Sequence, residues 1–183
     1  MKKIAICLMA ITVSCCITSC GDDKEDHLNQ WMMANVNAFN AIKVNPEYRE
    51  LLSPGNEGSI YYKVLQAGNG TDSIKYTSIV TCYYKGWLIA DYPFYNIQTG
   101  YVFDQRLFDD GPPLQFALNS LVNGWKTALQ HMTKGDKWEI WIPYQLGYGR
   151  TGSYDSYTGA LKIPGYSTLV FEMEIVNVKG IDD

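Results

Sequence analysis

The chain has 183 residues, with 15 basic against 19 acidic side chains and a formal net charge of −4. With no basic stripe to neutralise phosphates, nucleic-acid binding is excluded as a role. The length suits one domain with a short extension, and five cysteines, three of them crowded at Cys7, Cys15 and Cys16, make no disulfide framework.

Lys2 and Lys3 precede a mostly apolar run from Ile4 to Ile17 and then Thr18-Ser19-Cys20. This is signal-peptide anatomy, and the run is too short for a permanent membrane span. Ile17-Thr18-Ser19-Cys20 resembles a bacterial lipobox, with Ile17 where Leu is usual. The resemblance implies removal of residues 1–19, a lipid on Cys20 and a membrane anchor. Cys82 then stays single, in an alternating strand that suits a small core residue. Asp22-Asp23-Lys24-Glu25-Asp26 reads as a solvated spacer. It also resembles the acidic signal of lipoproteins exposed on the outer membrane; a periplasm-facing anchor is the alternative.

From Leu28 to Ile42 the residues Leu28, Trp31, Met32, Val36, Phe39 and Ile42 recur at helical spacing, and Pro46 follows. This helix either docks on the domain that follows or pairs with a second copy. Docking and a monomer are preferred, because so short a helix is a marginal dimerisation unit. Ser53-Pro54-Gly55-Asn56-Glu57-Gly58 marks a boundary, so 20–58 is read as lipidated cysteine, acidic tether and helix, and 59–183 as the main domain. Within it, strands are predicted over 60–65, 79–87, 114–118, 137–142 and 168–178, with one helix over 124–132 stopped by Gly135. Few helices among several strands argue an α+β layer design, a sheet wrapped around a helix.

A series of short blocks runs through this domain: Tyr84-Lys85-Gly86, Val102-Phe103-Asp104, Phe116-Ala117-Leu118-Asn119, Val122-Asn123-Gly124-Trp125, Met132-Thr133-Lys134-Gly135-Asp136-Lys137, Pro143 to Gly149, Ile163-Pro164 and Ser167 to Glu172. In this order they resemble the successive signatures of FKBP-type peptidyl-prolyl cis-trans isomerases. The resemblance implies a twisted five- or six-stranded antiparallel sheet around one short helix, with an aromatic pocket for a prolyl ring. It implies Tyr84, Phe103, Leu114, Leu121, Trp125, Ile163 and Phe171 as substrate-binding residues. It also implies catalytic roles for Asp104 near the twisting amide, the Tyr148 hydroxyl toward the carbonyl before proline, and the Val122 backbone N–H on the substrate chain. The implied partners are proline-containing polypeptides of exported proteins, and no cofactor or metal is required. A catalytically weak module binding polypeptide or glycan through exposed tyrosines is the alternative.

The chain departs from the family pattern at an insertion over 90–100, at a Tyr-rich loop over 150–162, at Leu114 where an aromatic is common, and at Lys162. The last two predict weakened binding of the macrolide inhibitors associated with the family. His131 sits in the helix without ligand-spaced cysteine or carboxylate, which argues against a metal. No Gly-x-Ser-x-Gly, Walker or dinucleotide motif occurs.

Overall fold

The computed structural model describes residues 22–71, 73–92 and 97–180. Cys20 and the leader before it lie outside these residues. Helix α1 spans Asp22–Lys43 and starts within the run read as a solvated spacer. The helix therefore opens six residues before the Leu28 start that the apolar spacing predicts, while Glu25 and Asp26 stay exposed; an acidic opening suits the positive end of a helix dipole.

The strands are β1 (Arg49–Leu52), β2 (Ser59–Gln66), β3 (Ile79–Leu88), β4 (Val102–Arg106), β5 (Leu114–Ala117), β6 (Lys137–Ile142), β7 (Ser153–Tyr154), β8 (Leu161–Ile163) and β9 (Leu169–Lys179), with α2 over Asn123–Leu129. The main sheet runs β1-β2-β6-β9-β3-β4, every pair antiparallel. β4 and β5 occupy successive halves of the same edge of β3, Tyr84 to Trp87 facing β4 and Ile79 to Cys82 facing β5. The sheet therefore has six ranks but seven strands, one more than the sequence suggests. Its first strand, β1, lies upstream of the boundary read at Ser59.

Alternation decides which face is buried. Along β3, Val80, Cys82, Tyr84 and Leu88 turn inward, and along β9, Leu169, Phe171, Met173 and Ile175 do the same against half-exposed Glu172 and Glu174. Trp125, Ala128 and Leu129 of α2 pack on this inner face, together with Met132 just beyond the helix. Cys82 is fully buried, and burial alone pushes its thiol up to about 12, so it is a core residue and no nucleophile.

Tyr61 and Trp141 project to the opposite face, one step along from inward Ile60 and Ile142. There they join Phe39 and Ile42 of α1, and Tyr48, in a second small core. Helix α1 is thus docked rather than free. Trp31 and Asn35 extend the contact: the Trp31 indole donates to the Gly165 carbonyl at 2.9 Å, and the Thr168 N–H donates to Asn35 Oδ1 at 2.7 Å. A buried asparagine carries no signature in an apolar pattern.

Candidate functional site

Trp125 is the third residue of α2, and its place in the helix's first turn sets the indole against the inner face of the sheet. Three rings stand edge-on to it: Phe171 at 5.1 Å and 88°, Tyr84 at 5.4 Å and 83°, and Phe116 at 5.9 Å and 72° between centroids. Phe103 closes the box against Phe171 at 5.3 Å and 87°. Edge-to-face contacts of this kind suit the ring quadrupoles and hold each ring in one orientation. The four most enclosed rings, Trp125, Phe171, Tyr84 and Phe103, are all below a tenth exposed.

The box opens into a cleft of about 230 Å³ lined by Tyr84, Phe103, Asp104, Phe116, Ser120, Leu121, Val122, Trp125, Tyr148 and Phe171. Eight of the residues singled out in the sequence come together here, from β3, β4, the turn before α2, α2 itself, the Tyr148 loop and β9. Two do not. Leu114 stands opposite Cys82 at the start of β5 and packs on the edge of the core; Phe116, two residues further on the same side, reaches Trp125 and Tyr84 and takes the wall position instead. Ile163 is 1% exposed at the end of β8, enclosed in the core and absent from the cleft lining. Phe116 and Ser120 were missed, although the period of two from Leu114 pointed at Phe116.

Val122 is the residue ahead of the first turn of α2, with φ −62° and ψ 152°. Its own N–H precedes the helical ladder and has no acceptor within it. Asp104 is exposed at the rim. Burial, then the Asp104 charge, raises the Tyr148 phenol above its ordinary pKa; the same order of causes, joined by a hydrogen bond to Asp104, raises Tyr84 further. Both hydroxyls therefore keep their protons through the neutral range and remain donors.

These shifts make a stability prediction. Cys82, Tyr84 and Tyr148 are joined by Tyr48, whose phenol is held at about 12 first by burial and then by its 2.5 Å hydrogen bond to Glu139. All four are neutral when protonated and have folded pKa values above the unfolded ones. Their contribution is complete below the unfolded pKa values and is lost as pH rises through the raised folded ones. Fully buried Cys82 weakens the fold by about 1.4 kcal/mol per pH unit in its window, and the part-exposed phenols by less because solvent screens them. Melting temperatures measured from neutral to strongly alkaline pH should hold flat and then fall steeply. A flat profile across the alkaline arm would contradict these burials.

The described residues of the insertion, 90–92 and 97–100, are absent from the cleft lining. Tyr92 and Ile97 exchange backbone hydrogen bonds, Asp91 accepts from the Thr99 N–H and hydroxyl, and the Tyr92 ring lies 5.1 Å from Trp31 of α1. The loop over 150–162 folds into the β7–β8 hairpin, closed by Asp155, which accepts from Tyr157 and Thr158, and leaves Tyr157 almost fully exposed. His131 lies two residues past the end of α2 rather than in the helix, with its Nδ1 3.0 Å from the Thr127 carbonyl. Among the described residues no group of three or more His, Cys, Asp or Glu could hold a metal ion. An apolar box whose lining adds two phenolic hydroxyls, the Ser120 hydroxyl and one carboxylate offers shape and hydrogen bonds.

The sequence profile of FKBP-type peptidyl-prolyl cis-trans isomerases matches residues 70–176. The macrophage infectivity potentiator of Trypanosoma cruzi is 31% identical over 185 residues, covering 97% of this chain and 84% of that protein. The FKBP-type 22 kDa peptidyl-prolyl cis-trans isomerase of Escherichia coli is 35% identical over 122 residues, covering 67% of this chain and 51% of that protein. Among solved structures, a peptidyl-prolyl cis-trans isomerase from Pseudomonas syringae superposes with a TM-score of 0.64 at 30% identity, over 82% of this chain and 95% of that one. FkpA from Escherichia coli superposes with a TM-score of 0.65 at 27% identity, over 87% of this chain and 64% of that one.

Proposed function

The chain belongs to the FKBP-type peptidyl-prolyl cis-trans isomerases, and from that premise we propose that the box around Trp125 is where it seats a prolyl ring and turns the amide before it. The activity is peptidyl-prolyl cis-trans isomerisation of proline-containing polypeptides. One observation supports the assignment of the site: an aromatic cleft whose lining also holds Asp104 and Tyr148.

Rotation about an amide is resisted by about 18–20 kcal/mol, because resonance makes the C–N bond partly double. Proline weakens the trans preference but leaves rotation slow. No bond has to be made or broken, so binding energy that grows as the amide twists is sufficient catalysis. A twisted amide has lost resonance and part of its dipole, and an apolar cleft penalises it less than the planar form. In this reading Trp125 is the floor, Phe103 and Phe171 are walls, and Tyr148 donates its hydroxyl to the carbonyl before proline. Asp104 faces the turning amide, and the Val122 N–H holds the substrate backbone.

Removing one hydrogen bond that strengthens at the transition state costs about 1.4 kcal/mol, or about tenfold in rate. Tyr148→Phe and Asp104→Ala should each lower kcat/KM for an X-Pro peptide by about that factor with the fold intact. A folded wild-type protein that does not accelerate X-Pro isomerisation would overturn the assignment. Macrolide inhibitors should compete in the same assay, because Phe116 supplies the aromatic wall that Leu114 does not.

We further propose that the substrates are exported proteins and that Cys20 anchors the chain in the outer membrane. The support is the Lys2-Lys3 start, the apolar run and the Ile17-Thr18-Ser19-Cys20 junction. Labelled fatty acid should enter the wild-type chain in cells and not the Cys20→Ser variant; equal labelling of both would remove the anchor.

A further inference from the structure

The box supports itself, ring against ring, but Tyr148 does not belong to that packing. It is 37% exposed where Trp125, Phe171, Tyr84 and Phe103 are nearly closed, so its position depends on the backbone that carries it. That backbone is held by bonds within its own loop and by one from the turn after β8. Gly149, the next residue, accepts the Tyr166 N–H at 2.9 Å and donates to the Tyr144 carbonyl at 2.8 Å, and Tyr148 itself accepts the Gly152 N–H at 3.1 Å. The Tyr166 and Tyr144 rings meet at 5.1 Å. Tyr166 adopts a left-handed φ of 62°, an outlier for a bulky side chain that its surroundings must maintain.

Those surroundings are α1. Gly165 gives its carbonyl to the Trp31 indole at 2.9 Å, a buried bond across 134 residues of sequence. Thr168 donates its N–H to Asn35 Oδ1 at 2.7 Å and its hydroxyl to the Asn35 carbonyl at 3.2 Å; Asn35 in turn donates to the Trp31 carbonyl at 2.9 Å. Between these anchors, a Cβ on Gly165 would stand 1.9 Å from the Arg150 carbonyl oxygen, so the two backbones run in direct contact two residues beyond Tyr148. Ordinary docking of a helix needs only apolar area, which Phe39 and Ile42 already supply on the other side of the sheet. The polar anchors at Trp31 and Asn35 hold one short turn, and that turn holds the Tyr148 loop.

We propose that α1 is a positioning element for catalysis: Trp31 and Asn35 fix the 163–168 turn, which fixes Gly149 and hence the Tyr148 hydroxyl over the cleft. The proposal rests on the role given above to Tyr148. Because catalytic groups tolerate little misplacement, with about 1 Å able to cost about a hundredfold, a slack loop lowers turnover without emptying the cleft.

The test is a double-mutant cycle. Trp31→Phe keeps a ring against Tyr92 and deletes the indole donor; Thr168→Val deletes only the hydroxyl bond to Asn35 and serves if the first variant folds poorly. Each should lower kcat by about threefold to tenfold with KM held within about twofold, and should change kcat by less than about twofold when Tyr148 is already Phe. Met33→Ala, at an exposed site of the same helix, should be silent in both backgrounds. Effects that add fully in the Tyr148→Phe background would show that α1 only stabilises the fold, and would overturn the proposal. Amide exchange gives a reading independent of activity. Trp31→Phe should speed exchange at Tyr166 and Gly152 while leaving β3 unchanged, and unaltered protection there would also overturn it. An inactive wild type would instead condemn the cleft as a catalytic site, with amide exchange still deciding the mechanical link.

Discussion

Trp125→Ala should cost about 3–5 kcal/mol of stability and reduce kcat/KM by more than about a hundredfold, the larger part of that loss exceeding what unfolding explains. The indole is 4% exposed and touches Tyr84, Phe116 and Phe171 at once. Deleting it leaves a cavity that its neighbours cannot fill without giving up their edge-on contacts. Trp125→Phe separates the two consequences: it keeps a ring and most of the packing, and should lose activity through a raised KM at a smaller stability cost. Chemical denaturation and isomerisation kinetics on both variants check this. A well-folded Trp125→Ala protein with wild-type kcat/KM would mean that the prolyl ring sits elsewhere.

Gly86→Ala should be as damaging to binding through the addition of one methyl group. A Cβ at Gly86 would lie 2.5 Å from Phe171 Cε1 and 2.7 Å from Phe103 Cζ, both rings of the box. The backbone has little freedom to retreat, since Gly86 is paired to Asp104 on β4 and to Phe171 on β9. Overpacking of this kind costs about 1–3 kcal/mol. The rings must turn out of their edge-to-face geometry, so KM should rise by more than about tenfold while kcat at saturation falls less. An alanine accepted with unchanged KM would show the walls to be looser than these distances require.

Gly86 also illustrates what a sequence discloses. Its neighbours Tyr84 and Lys85 are visible as a motif, but the reason for a glycine, two aromatic rings lying over the strand, appears only when β4 and β9 are brought beside β3. The alternation along β3 and β9 exposed the sheet's inner face directly, because burial on one side leaves a period of two in the residues themselves. Asp104, Trp125, Tyr148 and Phe171 were legible because they stand in blocks whose order carries the family likeness. Leu114 and Ile163 were assigned by the same likeness, and neither lines the cleft: one lies at the edge of the core and the other is enclosed in it.

What stayed hidden was mostly polar or short. β1, only Arg49 to Leu52, has too few residues to show a period and gains its place by pairing with β2. The β7–β8 hairpin lies in a stretch whose tyrosines suggested an open loop; Asp155 closes it with side-chain bonds to Tyr157 and Thr158. Asn35 is fully buried in a helix whose apolar residues alone would predict simple docking. Two hydrogen bonds tie it to Thr168, 133 positions away, and no local pattern records them.

The central claim, that the Trp125 cleft turns X-Pro amides, is tested most directly by exchange NMR on a short X-Pro peptide with a small fraction of the chain from Gly21 onward. Cis–trans exchange peaks should appear with the wild-type protein, weaken with Tyr148→Phe, and vanish with Trp125→Ala, while the peptide perturbs cleft resonances at Leu121, Val122 and Trp125. Exchange that persists undiminished in Trp125→Ala, or peptide-induced shifts confined to another face, would contradict the account.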